Sequence, residues 1–189
     1  MPTDIRVVRG EELLAHTRGL YSVYLDAFCA PPWNEEPEKA VEFAGQLPAE
    51  VRRPGFTAAL ALRGGEVVGF ATAWTTLSPF PTDRCYPQAA AGLGPEHTAE
   101  WLCGSREVDE LAVRSDARGT GLAAGLLEAV TADALEGRSW LLTSVRSEGA
   151  MAFYRRQGWT QATRPSPDGD IVVFLGPRHP ARSLAARSL

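Results

Sequence analysis

Three acidic side chains, Glu107, Asp109 and Glu110, fall within four positions of a run, Arg106 to Val113, that otherwise has the character of a buried strand. Solvation alone explains such a cluster poorly, because carboxylates are seldom taken out of water without a partner or a task. Alternation along a strand puts Glu107 and Asp109 on one face and Glu110 on the other, unless a bulge resets the parity. Just downstream, Arg118-Gly119-Thr120-Gly121-Leu122-Ala123 opens a helical pattern in which Leu122, Leu126, Leu127 and Val130 share one face. Glycine at 119 and 121 lets a ligand approach the backbone. The unpaired N–H groups of the helix start, at the positive end of its dipole, form an anion site suited to a diphosphate. Arg118 adds a charge-assisted donor. Taken alone, the two glycines describe only a tight strand-to-helix connection. There is no lysine of a G-x-x-x-x-G-K-S/T phosphate loop and no third glycine of a dinucleotide fingerprint.

A second segment, Ala150-Met151-Ala152-Phe153-Tyr154-Arg155-Arg156-Gln157-Gly158-Trp159, completes a pattern. The sequence resembles the GNAT superfamily, the acyl-coenzyme A dependent N-acetyltransferases. Its phosphate-cradling motif, Gln or Arg followed by x-x-Gly-x-Gly or Ala, is matched by Arg118, Gly121 and Ala123 after the strand Glu110-Leu111-Ala112-Val113. Its A-x-x-F-Y-x-x-x-G-F/W helix is matched by Ala150, Phe153, Tyr154, Gly158 and Trp159. The likeness covers about residues 4 to 176. It implies that Leu111, Ala112 and Val113 lend backbone groups to the pantetheine arm of acetyl-coenzyme A where this strand splays from its neighbour. It further implies that amides from Arg118 through Gly119, Thr120, Gly121 and Leu122 to Ala123 hold the pyrophosphate. Ser147, Ala150 and Phe153 are then coenzyme contacts, and Tyr154 faces the sulfur. Two departures stand out: Ser147 replaces the frequent asparagine, although serine can still cap a helix, and no glutamate lies near Ser144.

Acyl transfer from a thioester needs an amine deprotonated, an oxyanion stabilised by preorganised donors, and a proton for the departing thiolate. Tyr154 suits the last task, since a phenol near pKa ~10 can protonate a thiolate whose acid lies around 8.5; without the flanking motif it would be a core residue beside Phe153. The base must come from Glu107, Asp109 or Glu110. Glu107, four residues before Leu111, matches the glutamate base of the histone acetyltransferase branch, and Glu110 abuts the pantetheine-binding residues and could contact substrate instead. Either acid could act through a water. Cys29, Cys85 and Cys103 lack an activating context, so direct transfer is expected over a ping-pong route.

The loop Ala30-Pro31-Pro32-Trp33-Asn34-Glu35-Glu36 corresponds to the family's acceptor wall. Trp33, Asn34 and Glu35, with Asp109, suit an organic cation, while the same loop also suits a helix cap with a core-anchoring tryptophan. The expected activity is N-acetylation of a primary amine on a small molecule or peptide. A non-catalytic acyl-coenzyme A binding module is the alternative.

The elements that must position these residues follow from periodicity. Strand Ile5 to Val8 precedes a helix over Glu11 to Phe28, and Asn34 caps a second over Glu36 to Gln46. Phe56 to Leu62 and Val67 to Thr75 form a hairpin around Gly64-Gly65. The proline-rich stretch Ser78 to Glu100, with Phe80, Asp83, Arg84 and Tyr86, is a lid or holds a helix near Gln88 to Leu93. Arg106 to Val113 is a strand, Thr120 to Leu135 a helix, Trp140 to Val145 a strand and Gly149 to Gln157 a helix. Strands around Trp159 to Thr163 and Ile171 to Leu175 close the chain. The order β-α-α-β-β-β-α-β-α-β-β predicts an α/β fold with a mixed sheet of six to seven strands and helices on both faces, and the resemblance implies that the sheet is mostly antiparallel.

The composition agrees. The chain has 189 residues, 44% hydrophobic and 22% charged, with a net charge of −4. That is a globular composition without a basic stripe, so nucleic acid is not an expected partner. One domain over 1–177 with a tail at 178–189 is expected. The polar N-terminus and the lack of a long apolar run suggest neither signal nor membrane span, and hence a cytoplasmic protein; a monomer or homodimer is expected. Scattered His and Cys give no metal site.

Overall fold

The computed structural model describes residues 2–167 and 169–187. Among these residues seven strands form a sheet in the hydrogen-bonded order β1-β2-β3-β4-β5-β7-β6. The chain clusters into two compact units, Met1–Trp74 with Asp109–Ala132, and Thr75–Val108 with Asp133–Leu189.

The first unit begins with β1 (Thr3–Val8), antiparallel to β2 (Thr57–Arg63), which turns through Gly64-Gly65 into β3 (Glu66–Thr75). Against them pack α1 (Thr17–Phe28) and α2 (Pro37–Glu50). Leu20, Val23 and Tyr24 of α1 and Ala40, Phe43 and Leu47 of α2 bury against Ala58, Leu60, Phe70 and Trp74. Residues three and four apart on each helix thereby form one apolar face. The helix expected from Glu11 starts instead as a 3-10 segment, Gly10–His16.

Asn34 does not cap α2: it has a left-handed φ of 49°, its side-chain amide donates to the Pro32 carbonyl at 3.4 Å, and Glu36 holds the N-cap position. Proline at 37 is the reason, because its fixed φ suits the first helical position and its missing N–H needs no partner there. The helix also outruns the expected Gln46, continuing through Pro48 to Glu50 because Leu47 and Val51 are buried in the core. The chain returns at Asp109 in β4 (Arg106–Val113) and enters α5 (Leu122–Thr131). This helix stops before the expected Leu135, and in its last residue the Thr131 hydroxyl donates to the Leu127 carbonyl at 2.8 Å.

The second unit holds α3 (Tyr86–Leu93), α4 (Pro95–His97), a π-type turn over Thr98–Leu102, and the first residues of β4. The expected helix in the proline-rich stretch is therefore present, with Pro87 in its first turn. Arg106–Val108 pair in parallel with Ser139–Leu141 of β5 (Ser139–Ser144), and β7 (Ile171–Leu175) runs antiparallel to β5 and to the two-residue β6 (Thr160–Gln161). Between β5 and β6 lies α6 (Glu148–Arg156). Tyr86, Trp101, Leu102, Trp140, Val173 and Leu175 form the core. The C-terminal segment docks as the short helix α7 (Arg182–Ala185), with His179, Ala181 and Ala185 buried. Among the described residues no helix is long and apolar enough to cross a membrane.

Candidate active site

In the first unit, β4 ends at Val113 and the chain reaches α5 through a short 3-10 turn, Ser115–Ala117. Asp26 of α1 fixes that turn, accepting the Ser115 N–H at 2.6 Å and the Ser115 hydroxyl at 3.0 Å. Arg114 bonds Asp116 at 2.7 Å and Glu66 at 2.8 Å. The hydrogen bonds from Arg114 hold the Asp116 carboxyl below its ordinary range.

Gly119 and Gly121 then take left-handed φ values of 74° and 82°, where an L side chain is strained, and a Cβ built on either meets nothing within 4 Å. The first helical return bond beyond this turn runs from the Gly125 N–H to the Gly121 carbonyl. The amides of Leu122, Ala123 and Ala124 belong to the helix start, which has no intrahelical acceptor to offer them. The geometry is an open backbone cradle at the positive end of a ten-residue helix. Arg118 is exposed and its Nε donates to the Val113 carbonyl at 3.2 Å, so one of the backbone acceptors expected for pantetheine already has a protein partner. Leu111 is half-buried, and Ala112 and Val113 are buried.

The same unit gathers four polar groups. The Tyr24 hydroxyl donates to Glu35 at 2.8 Å. Burial first, then the charges of Glu110, Glu35 and Asp109, push the phenol far above its ordinary value. Glu35, Asp109 and Glu110 thus share one field around a protonated phenol, with Trp33 edge-on to Phe28 at 6.0 Å and Phe28 against Tyr24 at 4.6 Å. Trp33 is half-buried and Asn34 is exposed. Helical spacing marks Tyr24 as a core residue, which its ring is. Its hydroxyl partner lies across a loop that no periodicity registers.

In the second unit, Glu107 is 4% exposed. The Tyr86 hydroxyl lies 2.9 and 3.0 Å from its two oxygens, and the Thr76 hydroxyl 3.4 Å from one of them. Two of the expected acids, Asp109 and Glu110, thus act with Glu35 on Tyr24, and Glu107 has separate partners. Thr76 was not anticipated from sequence, and Tyr86 only as a lid residue.

Tyr154 is half-buried on α6, with ring neighbours Phe153 at 5.2 Å, Phe174 at 5.9 Å and Trp159 at 6.1 Å. Ala150 and Phe153 of the same helix are half-buried. Ser147 occupies the N-cap position but makes no side-chain capping bond, contrary to expectation. Its carbonyl accepts the Met151 N–H at 3.0 Å, while the nearby Ser144 hydroxyl takes the Arg146 N–H at 3.1 Å. The thiols of Cys29 and Cys103 are pushed up, chiefly by burial and for Cys29 also by Glu35, Glu36 and Glu38. That is the wrong direction for a thiolate nucleophile.

Comparison with known proteins gives a consistent result. The sequence model of the acetyltransferase (GNAT) family matches residues 17–159. No curated protein matches. Among solved structures, the PaiA N-acetyltransferase of Thermoplasma acidophilum, in complex with coenzyme A, superposes with a TM-score of 0.61 at 12% identity over 93% of this chain and 99% of its own. The Corynebacterium glutamicum protein described as histone acetyltransferase HPA2 and related acetyltransferase gives 0.62 at 18% over 94% and 97%. The ribosomal-protein-S18-alanine N-acetyltransferase of Escherichia coli gives 0.56 at 18% over 94% of each chain.

Proposed function

Because the chain belongs to the acetyltransferase (GNAT) family, we propose that it moves an acetyl group from acetyl-coenzyme A directly to a primary amine of a small molecule or peptide. One observation carries the reading. The left-handed Gly119 and Gly121 open onto the start of α5 with nothing within 4 Å of either Cβ position, inside the segment the family model matches. That cradle fits a pyrophosphate, whose oxygens need backbone donors at close range. The coenzyme-binding residues are Leu111, Ala112, Val113, the stretch from Arg118 to Ala123, Ser147, Ala150, Phe153 and Tyr154. Acetyl-coenzyme A supplies an activated thioester carbonyl when bound.

The residues of this chain do the rest. Glu35 and Asp109, in the field that surrounds Tyr24, attract a cationic amine, and Trp33 offers its ring to the same charge; Asn34 completes that loop. A carboxylate of β4, Glu107 or Glu110, accepts the proton of the ammonium. A backbone N–H near Leu111 donates to the carbonyl oxygen as charge develops there. The Tyr154 hydroxyl gives its proton to the departing thiolate. PaiA and the S18-alanine enzyme, acetyltransferases of this fold, are consistent with an amine acceptor.

The test is release of free thiol from acetyl-coenzyme A over a panel of small cationic amines and peptides with free N-termini, run beside a thermal shift with acetyl-coenzyme A alone. Acceptor-dependent release supports the enzyme. A thermal shift without such release identifies a non-catalytic binding module.

A further inference from the structure

Glu107 is almost wholly buried, 4% exposed, yet it is surrounded by donors. Burial alone disfavours the charged form of a carboxyl and raises the pH at which it ionises, whereas hydrogen bonds to the carboxylate do the opposite. Both effects act on this residue. The Tyr86 hydroxyl reaches Oε1 at 2.9 Å and Oε2 at 3.0 Å. The Thr76 hydroxyl reaches Oε2 at 3.4 Å and is itself 2.8 Å from Nε1 of Trp140.

An indole N–H can only donate, so Thr76 accepts from Trp140 and its own proton is left to point at Glu107. The resulting chain of donors is aligned toward the carboxylate, and each link polarises the next. The scaffold holds these donors in place. The Thr76 N–H bonds the Ser105 carbonyl at 3.0 Å, its carbonyl takes the Gly104 N–H at 2.9 Å, and the Tyr86 ring, 2% exposed, packs on Phe80 at 5.3 Å and Trp140 at 6.3 Å.

From these contacts we infer that Tyr86, assisted by Thr76, is a positioning residue that keeps buried Glu107 ionised and so sets the pH above which acetyl transfer can draw on it. The inference rests on the reading of Glu107 as proton acceptor. It gives the proline-rich segment that supplies α3 a task in the reaction. The groups facing Glu107 include Tyr86 from α3, Thr76 after β3, and Trp140, its register partner on β5. On β4 itself, the neighbouring Arg106 is paired with Asp133 at 2.9 Å, and Asp109 follows two residues on.

The experiment compares kcat/KM for the amine against pH in the wild type, Tyr86→Phe, Thr76→Val, Thr76→Ser and Glu107→Gln, beside infrared titration of the carboxyl band. Tyr86→Phe keeps the ring and its packing. The acid limb is expected to move up by about one pH unit or more in Tyr86→Phe. It should move less in Thr76→Val, whose contact is longer, and return to the wild-type position in Thr76→Ser. A protonated-carboxyl band should persist to correspondingly higher pH in Tyr86→Phe and vanish in Glu107→Gln, which also loses the limb. If Glu107→Gln removes the limb but Tyr86→Phe, or Thr76→Val where the former does not fold, leaves it in place, the positioning role is overturned while the base assignment stands. If Glu107→Gln leaves the limb intact, the base assignment itself has failed and the positioning role falls with it.

Discussion

The hydroxyl of Tyr24, on α1, donates a 2.8 Å hydrogen bond to Oε2 of Glu35, eleven residues further along the chain. Glu110 and Asp109 add their charges to the same spot, so the phenol stays protonated and remains a donor. It thereby fixes one carboxylate of a negative field without neutralising it. Replacing Glu35 with Gln or Tyr24 with Phe should raise KM for a cationic amine about tenfold, the scale of a charge-assisted hydrogen bond, with kcat largely retained. Steady-state kinetics with charged and neutral acceptors checks this, because the neutral acceptor should be insensitive to Glu35→Gln.

The cradle makes a separable prediction. Gly121→Ala places a Cβ where the protein has open space but where φ is 82°, so its effect divides into a backbone cost of about 1 kcal/mol and obstruction of the ligand. Thermal unfolding reports the first. Calorimetry with acetyl-coenzyme A should show a loss of affinity beyond it, and unchanged affinity would remove the cradle assignment. Arg118→Ala tests the charge of the guanidinium, whose Nε is held by the Val113 carbonyl.

Tyr154→Phe preserves the contacts with Phe153, Trp159 and Phe174 while deleting the hydroxyl. Turnover should fall about 10²-fold with coenzyme affinity unchanged, as expected for a positioned acid. Single-turnover acetyl transfer is the measurement. A variant with normal turnover would leave Tyr154 with a packing role only.

His179 ties the C-terminal segment to the turn before β4. Its Nδ1 accepts the Ala181 N–H at 3.1 Å, which leaves Nε2–H to donate to the Trp101 carbonyl at 3.0 Å. Burial lowers its pKa from the ordinary 6.5. Above that value the ring is neutral in both folded and unfolded chains, and its contribution to stability is complete. As pH falls, the unfolded chain takes up the proton first and stability is lost. Tm should therefore drop on acidification below about pH 6.5, and His179→Phe should flatten that dependence at the cost of a lower Tm near neutrality.

Much of this molecule could be seen in the sequence because it depends on local rules. The limits of β4 at Arg106–Val113 and of β7 at Ile171–Leu175 follow from short runs rich in β-branched and apolar residues between turns, and both segments fold with the limits anticipated. The glycines at 119 and 121 marked a tight strand-to-helix connection open to a ligand, and in the fold both take the left-handed backbone that almost no other residue adopts at low cost. Where local rules competed, sequence reasoning lost. Asn34 is a good cap by type, but Pro37 reserved the first helical position.

What only the tertiary structure decided is which partners the carboxylates have. From sequence, Glu107, Asp109 and Glu110 are three acids on one strand, separated by parity and by their distance from Leu111 but not by their surroundings. In the fold, Glu107 is buried beneath donors from Tyr86 and Thr76, distant in sequence by 21 and 31 residues, whereas Asp109 and Glu110 act on Tyr24, a residue of the first helix. The ionisation of a carboxyl is set by the dielectric and the donors within a few ångströms of it. Those neighbours are supplied by chain that no local pattern connects to the strand, and they exist only once the sheet and its helices have assembled.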